Sequence, residues 1–395
     1  MRPLRVLAVL VVVSVIACLS LSPRRAETLP LFARKYSMPC TQCHLAFPRL
    51  NAFGMAFRQN GYRIPGSKGE SPWEDKTFPL SLVGNVGYTL TRTDAADSTG
   101  RRQHTNQGAF EQNTVEFHSA GTLAEKITFH FDNNFAGVNG PLNSGMAFVQ
   151  FDDLTGDGTL NVKAGIYDAE IPYLSDSRRT TWTHSLSPMT LGGEGLELNG
   201  ARSGWTYALG LINSARTRGR AADGTLNNLE NPYLWVMRAV QGQMVCGRVY
   251  LDRQDPRDST RSASGHVQAE LSTYLNGPRW VLIPGVTYER FSQADPSLHD
   301  PADPANGARE RIVTGQVEAL VFLDPAARWL FTGRYELRHL PRFMTLAEQD
   351  DQQFIANVSW YANPNARIGL EWAHAADNVL GPRTETILAY VHVGY

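Results

Sequence analysis

Ala327-Arg328-Trp329-Leu330-Phe331-Thr332-Gly333-Arg334-Tyr335-Glu336-Leu337-Arg338-His339 alternates with a period of two. Trp329, Phe331, Tyr335 and Leu337 share one face; Thr332, Arg334, Glu336 and Arg338 share the other. Successive side chains of a strand point to opposite faces, so this stretch reads as an amphipathic strand. The same parity recurs over 122–134, where Ile127, Phe129 and Phe131 oppose Lys126, Thr128, His130 and Asp132. A soluble sandwich also alternates, so parity alone does not choose a fold.

The number of such stretches and the spacing between them do choose. Strands are expected at 80–92, 110–119, 122–134, 145–154, 159–168, 193–199, 203–213, 232–241, 243–252, 264–275, 279–291, 310–323, 327–339, 352–362, 365–374 and 384–395. Their connections alternate in length. Ala120-Gly121, Ala201-Arg202, Asn276-Gly277-Pro278 and Asn363-Pro364 read as tight turns, while 93–109, 169–192, 214–231, 292–309 and 340–351 read as long loops. Short periplasmic turns and long extracellular loops are the habit of outer-membrane barrels. In the last stretch Ile387, Ala389, Val391, Val393 and Tyr395 share a face, and a terminal aromatic resembles the assembly signal of outer-membrane proteins. The expectation for residues 77–395 is a porin-like, all-β barrel of about 16 antiparallel strands, apolar face to lipid and polar face to a lumen. Both termini then lie in the periplasm. The competing reading is a soluble periplasmic protein with a β-sandwich domain.

Upstream the pattern is different. Arg2 and Arg5 precede the apolar run Val6 to Ala17, which reads as a secretory signal peptide over 1–26. Val15-Ile16-Ala17-Cys18 loosely fits a lipidation site, though Cys18 also reads as a small residue of the apolar run. Residues 27–76 hold Cys40-Thr41-Gln42-Cys43-His44, a C-x-x-C-H pattern that marks c-type haem attachment. Two thiols three positions apart can each add to one haem vinyl group, and the adjoining histidine then binds the iron. Half a zinc site is the rival, but a closed zinc cluster needs four ligands and no second cysteine pair exists. Of the 4 Cys, Cys18 falls in the leader and two go to the motif, so Cys246 is left alone and no disulfide framework forms. Pro48, the apolar Leu50, Phe53 and Phe57, and Gly61 as a stop predict one amphipathic helix after the motif. About fifty residues with one helix cannot both wrap a haem and build a core, so the barrel must cover it.

His44 is the expected proximal iron ligand, and the sixth ligand stays open. Met55 lies on the helix and Met38 just before the motif, while His118 and His392 have lumen parity near the periplasmic end. For each histidine the plainer reading is a polar lumen residue, and for Met55 it is core packing. His130 and His266 share that parity but are placed higher in the barrel. A net charge of −1 gives no basic bias toward nucleic acid. No Ser-His-Asp order, phosphate loop or nucleotide fingerprint is visible, so electron transfer is expected rather than group transfer.

Phe32-Ala33-Arg34-Lys35-Tyr36-Ser37-Met38-Pro39-Cys40-Thr41-Gln42-Cys43-His44, Phe47-Pro48-Arg49-Leu50-Asn51-Ala52-Phe53-Gly54, Ala56-Phe57 and Gly61-Tyr62 together resemble the outer-membrane monohaem cytochrome–porin fusions of iron-oxidising bacteria. The resemblance covers about thirty residues. It implies one haem c on Cys40 and Cys43 with His44 on the iron, plugging or lining the barrel. It further implies an electron taken from extracellular Fe(II) and passed to a periplasmic cytochrome or copper protein. A donor other than iron, or a transport porin with a haem-bearing plug, are the alternatives.

Overall fold

The computed structural model describes residues 31–64, 80–96, 101–136, 143–168, 179–186, 192–213, 230–240, 243–254, 264–291, 311–325, 327–341, 348–363, 366–377 and 383–394. The leader expected over 1–26, with Cys18, and the terminal Tyr395 lie outside them. A two-stranded ribbon, β1 (His44–Ala46) and β2 (Arg49–Leu50), comes first. Sixteen strands follow: β3 (Ser81–Ala96), β4 (Arg102–Ala124), β5 (Ile127–Ala136), β6 (Asn143–Phe151), β7 (Asn161–Asp168), β8 (Gly192–Arg202), β9 (Trp205–Asn213), β10 (Glu230–Val240), β11 (Gln243–Gln254), β12 (Ser264–Asn276), β13 (Trp280–Phe291), β14 (Arg311–Phe322), β15 (Trp329–Leu340), β16 (Gln349–Asn363), β17 (Ala366–Asp377) and β18 (Arg383–Gly394). Each is antiparallel to its sequence neighbours, and β18 closes on β3 with Val391 opposite Val86. The result is a closed 16-stranded barrel, as the alternation predicted, and closure leaves no unpaired sheet edge.

The two faces separate as expected. On β15, Leu330, Thr332, Arg334 and Glu336 are buried on the lumen side, while Trp329, Tyr335 and Leu337 are exposed outward. Leu196, Leu198, Leu209, Leu211, Leu271 and Val317 extend the outer apolar band. Water would not tolerate so continuous an apolar surface, and a lipid bilayer requires it. Trp205, Trp280 and Trp329 each begin a strand just after a short turn, and Trp360 stacks on Trp329 at 6.0 Å. They form part of an interfacial aromatic girdle at the short-turn end.

Three connections differ from their expected positions. Ala120-Gly121 is not a turn: β4 continues through it, with Ala120 opposite His130, and turns at Glu125-Lys126. Ala and Gly there keep the alternation of the flanking residues, and the charged pair makes the better solvated tip. Ala201-Arg202 stays in β8, and the reversal falls on Ser203-Gly204, both at positive φ (50° and 79°), as a two-residue hairpin of this hand requires. The loop expected over 93–109 is mostly strand, because β3 and β4 stay paired out to Ala96 and Arg102.

The N-terminal segment lies inside this barrel. It contains a short helix α1 (Leu31–Tyr36), the ribbon, and a second helix α2 (Ala52–Gln59). α2 starts later than Pro48 predicted. Phe47-Pro48 forms the turn of the ribbon, and Asn51 is the cap, accepting a hydrogen bond from the Gly54 N–H at 2.9 Å. Gly61, at φ +65°, ends the helix as expected. The plug is fastened to the wall on several sides. Arg49 pairs with Glu318 of β14 at 2.8 Å, Arg63 with Asp152 at 3.1 Å, and Gln150 and Asn161 both donate to the Gln59 carbonyl at 3.0 Å. Met55, Phe57 and Tyr62 share one apolar cluster with Tyr167, Ile212, Trp235 and Ile283 of the wall.

Candidate functional site

The C-x-x-C-H stretch folds as a tight 3-10 turn over Cys40–Gln42. Gln42 N–H donates to the Pro39 carbonyl at 2.9 Å and Cys43 N–H to the Cys40 carbonyl at 3.2 Å. Asn51 locks this turn onto α2: its backbone N–H donates to the Cys43 carbonyl at 2.9 Å and its side chain to the Gln42 carbonyl at 3.0 Å. Gly54 makes the approach possible, since a Cβ there would collide with the Cys43 carbonyl. Cys40 and Cys43 are both free thiols, and burial raises the pKa of each.

These residues line a cavity of about 710 Å³ between plug and barrel wall. That volume falls within the roughly 300–1,000 Å³ of cofactor pockets. His44, Phe47 and Phe57 from the plug meet His118, Trp182, Tyr390 and His392 from the barrel. Phe47 lies between two histidines, its ring 5.3 Å from that of His44 and 5.4 Å from that of His392. Among the described residues, His44 Nδ1 and His392 Nε2 are buried polar atoms without a hydrogen-bond partner. Such atoms are costly unless something in the site claims them. Burial pushes the His44 imidazole down to about 4, against the pull of the Pro48 and Arg49 backbone, so it is the neutral species a metal needs.

The sequence-derived distal candidates separate here. His392 lines the cavity and its Nε2 is unclaimed. His118 lines it too, but its Nε2 meets Glu116 at 3.1 Å and its Nδ1 lies 3.7 Å from Asp132. Met55 is only 1 % exposed, packs in the apolar cluster, and is not among the lining residues. Met38 lines the cavity, as does Met146, which sequence reasoning passed over and whose sulfur accepts from Arg58 at 3.3 Å. His130 sits four residues after the Glu125-Lys126 turn and also lines the cavity, lower than the expected strand bounds had placed it.

The lining fits a haem. Two thiols would hold the haem covalently and two imidazoles would face its iron, Phe32, Phe47 and Phe57 would form an apolar bed, and Arg58, Arg179 and Arg367 would offer cations to two carboxylates. A further inward segment was not foreseen. Residues 179–186, within the expected long loop, fold into the lumen. Trp182 and Thr183 N–H groups donate to Glu371 at 2.7 Å each, and Arg334 donates to the Thr183 and His184 carbonyls at 2.9 Å. The lumen charges Arg334, Glu336 and Arg338 read from sequence as a filling of paired signs, and their contacts with 179–186 lie about 150 positions apart along the chain.

No family model matches the chain, and no curated protein matches it. Solved structures do. The outer-membrane channel DcaP of Acinetobacter baumannii superposes with a TM-score of 0.58 at 10% identity, covering 80% of this chain and 96% of that one. Salmonella typhi OmpF gives 0.55 at 11%, covering 80% and 97%, and the anion-selective porin of Comamonas acidovorans gives 0.54 at 10%, covering 80% and 99%. At such identities the likeness is one of fold: the chain has the fold of outer-membrane porins.

Proposed function

We propose that this chain is a single-haem electron conduit of the outer membrane. One haem c would be attached through Cys40 and Cys43, with His44 as an axial ligand and His392 the favoured second. Bound there, the haem supplies a one-electron redox centre. The residues of this chain hold it, shield it from water and fix its place in the lumen. The observation that carries the reading is the convergence of the Cys-His turn and the unclaimed His392 on one cavity enclosed by a membrane-type barrel. The cavity lies at the short-turn end, where β3 begins and β18 ends. On this reading that end faces the periplasm, as short turns do in outer-membrane barrels, and a periplasmic cytochrome or copper protein is the acceptor. The donor on this reading is extracellular Fe(II). The porin fold favours a second reading, a transport channel with a haem-bearing plug.

The test uses outer membranes from cells that mature c-type haem. Fe(II) is added anaerobically to the oxidised protein while the haem bands are followed. Rapid reduction, lost together with covalent haem in Cys43→Ala, is the expected result. A haem that dithionite reduces but Fe(II) leaves oxidised rejects iron as donor. Absence of covalent haem rejects the conduit and leaves the channel.

A further inference from the structure

In the same cavity, beside the Cys-His turn, stands a second set of metal-type ligands. We propose that His118, His130 and Asp132 bind one divalent first-row transition-metal ion. One ligand atom from each lies within 4.8 Å of the others. Asp132 Oδ2 is 3.2 Å from His130 Nε2 and 3.7 Å from His118 Nδ1. Two ligands bound at 2.0–2.2 Å to a shared ion stand roughly 3–3.5 Å apart, so only small side-chain rotations separate this arrangement from coordination.

The outer partners make the case stronger than proximity does. A metal-binding histidine normally has its other nitrogen held by a carboxylate, carbonyl or hydroxyl. Here His118 Nε2 meets Glu116 at 3.1 Å, and His130 Nδ1 meets the Tyr62 hydroxyl at 2.7 Å. The second oxygen of Asp132 accepts the Met146 N–H at 2.5 Å. Each of the three side chains thus has one atom anchored outward and one directed at a common point. His130 and Asp132 are buried and His118 is half-buried, so an ion could enter from the cavity. Asp132 and Glu116 put two carboxylates at the cluster, and Arg58, which also lines the cavity, spends a hydrogen bond on the Met146 sulfur.

Two imidazoles and one carboxylate with open positions suit Fe(II), Zn(II) or Mn(II), and exclude the all-oxygen preference of Ca(II) and Mg(II). If the electron-conduit reading holds, the site would seat Fe(II) next to the haem; that role rests on the reading, whereas metal binding does not.

The experiment is equilibrium dialysis of the full, detergent-purified protein against Zn(II), and against Fe(II) without oxygen, with bound metal counted by mass spectrometry. Wild type is expected to take up one ion per chain. His118→Ala and Asp132→Asn should weaken binding more than tenfold, and Tyr62→Phe about 10–100-fold, as loss of an outer partner does. Heat-modifiable gel migration shows that each barrel is assembled; His118→Ala, altering a half-buried side chain, carries the test if Asp132→Asn fails to assemble. No bound ion in wild type, or unchanged affinity in His118→Ala and Tyr62→Phe, overturns the site. A bound ion lost in these variants, with a haem that Fe(II) does not reduce, establishes the site and rejects iron as the conduit's donor.

Discussion

His392 and His118 show how much a single hydrogen-bond inventory decides. Both face the cavity, and strand parity alone made them equal candidates. His118 has a carboxylate near each ring nitrogen, whereas His392 Nε2 has no partner among the described residues. In haem-loaded protein, His392→Ala is therefore expected to turn a low-spin absorption and EPR spectrum high-spin and open the iron to cyanide. His118→Ala should leave that spectrum unchanged. The reverse pattern would move the sixth ligand to His118. Gly54 offers a second check at this scale. A methyl group there must displace the Cys43 carbonyl, and such overpacking typically costs about 1–3 kcal/mol. Gly54→Ala should lower haem per chain while the barrel assembles normally, measured as the ratio of haem absorbance to protein. The sequence carried the motif, the parity of both histidines and that of His130. It did not carry the pairing of His130 with Tyr62, because those residues lie 68 positions apart on plug and wall.

Elements were legible where one face meets lipid. The lipid face imposes strict alternation, and all sixteen strands were placed from it. Turns were less legible, since Ala120-Gly121 and Ala201-Arg202 have turn-like composition but keep the parity of their strands. The lumen side of β10 departs from the alternation of the other strands. Tyr233, Trp235 and Met237 are apolar on the face that a water-filled channel would make polar, and all three are buried. That face meets the plug cluster, so a strand apolar on both sides marks where the plug docks. One of the plug's polar fastenings is the fully buried pair of Arg49 and Glu318, 2 % and 0 % exposed. Removing one partner of such a buried pair typically costs about 3–5 kcal/mol, because the other charge is left in a low-dielectric site. Glu318→Ala is expected to loosen the plug while the barrel stays closed. Limited proteolysis in detergent should then cut within 31–64 much faster than in wild type, with the heat-modifiable barrel band unchanged. Equal cutting rates would show that the apolar contacts and the remaining hydrogen bonds hold the plug without this pair.

At the scale of the molecule, the plug and the wall share one core. Met55, Phe57 and Tyr62 pack with Tyr167, Ile212, Trp235 and Ile283, and Thr128, Gln150 and Asn161 spend hydrogen bonds on plug carbonyls. A porin whose lumen served only solutes would have no use for an apolar wall. Deleting residues 27–76 is expected to do two things at once. The closed ladder, which owes nothing to the plug, should still form, and its conductance in planar bilayers should rise above that of the full chain. The newly exposed apolar wall, and the loss of Arg49 from Glu318 and of Arg63 from Asp152, should lower the temperature at which heat-modifiability is lost. A truncated barrel as stable as the full chain would mean that the plug is a movable insert, which favours the transport reading. A barrel that opens and is destabilised ties the plug to the wall as a permanent part. That is what holding a redox centre at a fixed depth demands, since electron transfer needs a constant distance and a dry, rigid surround.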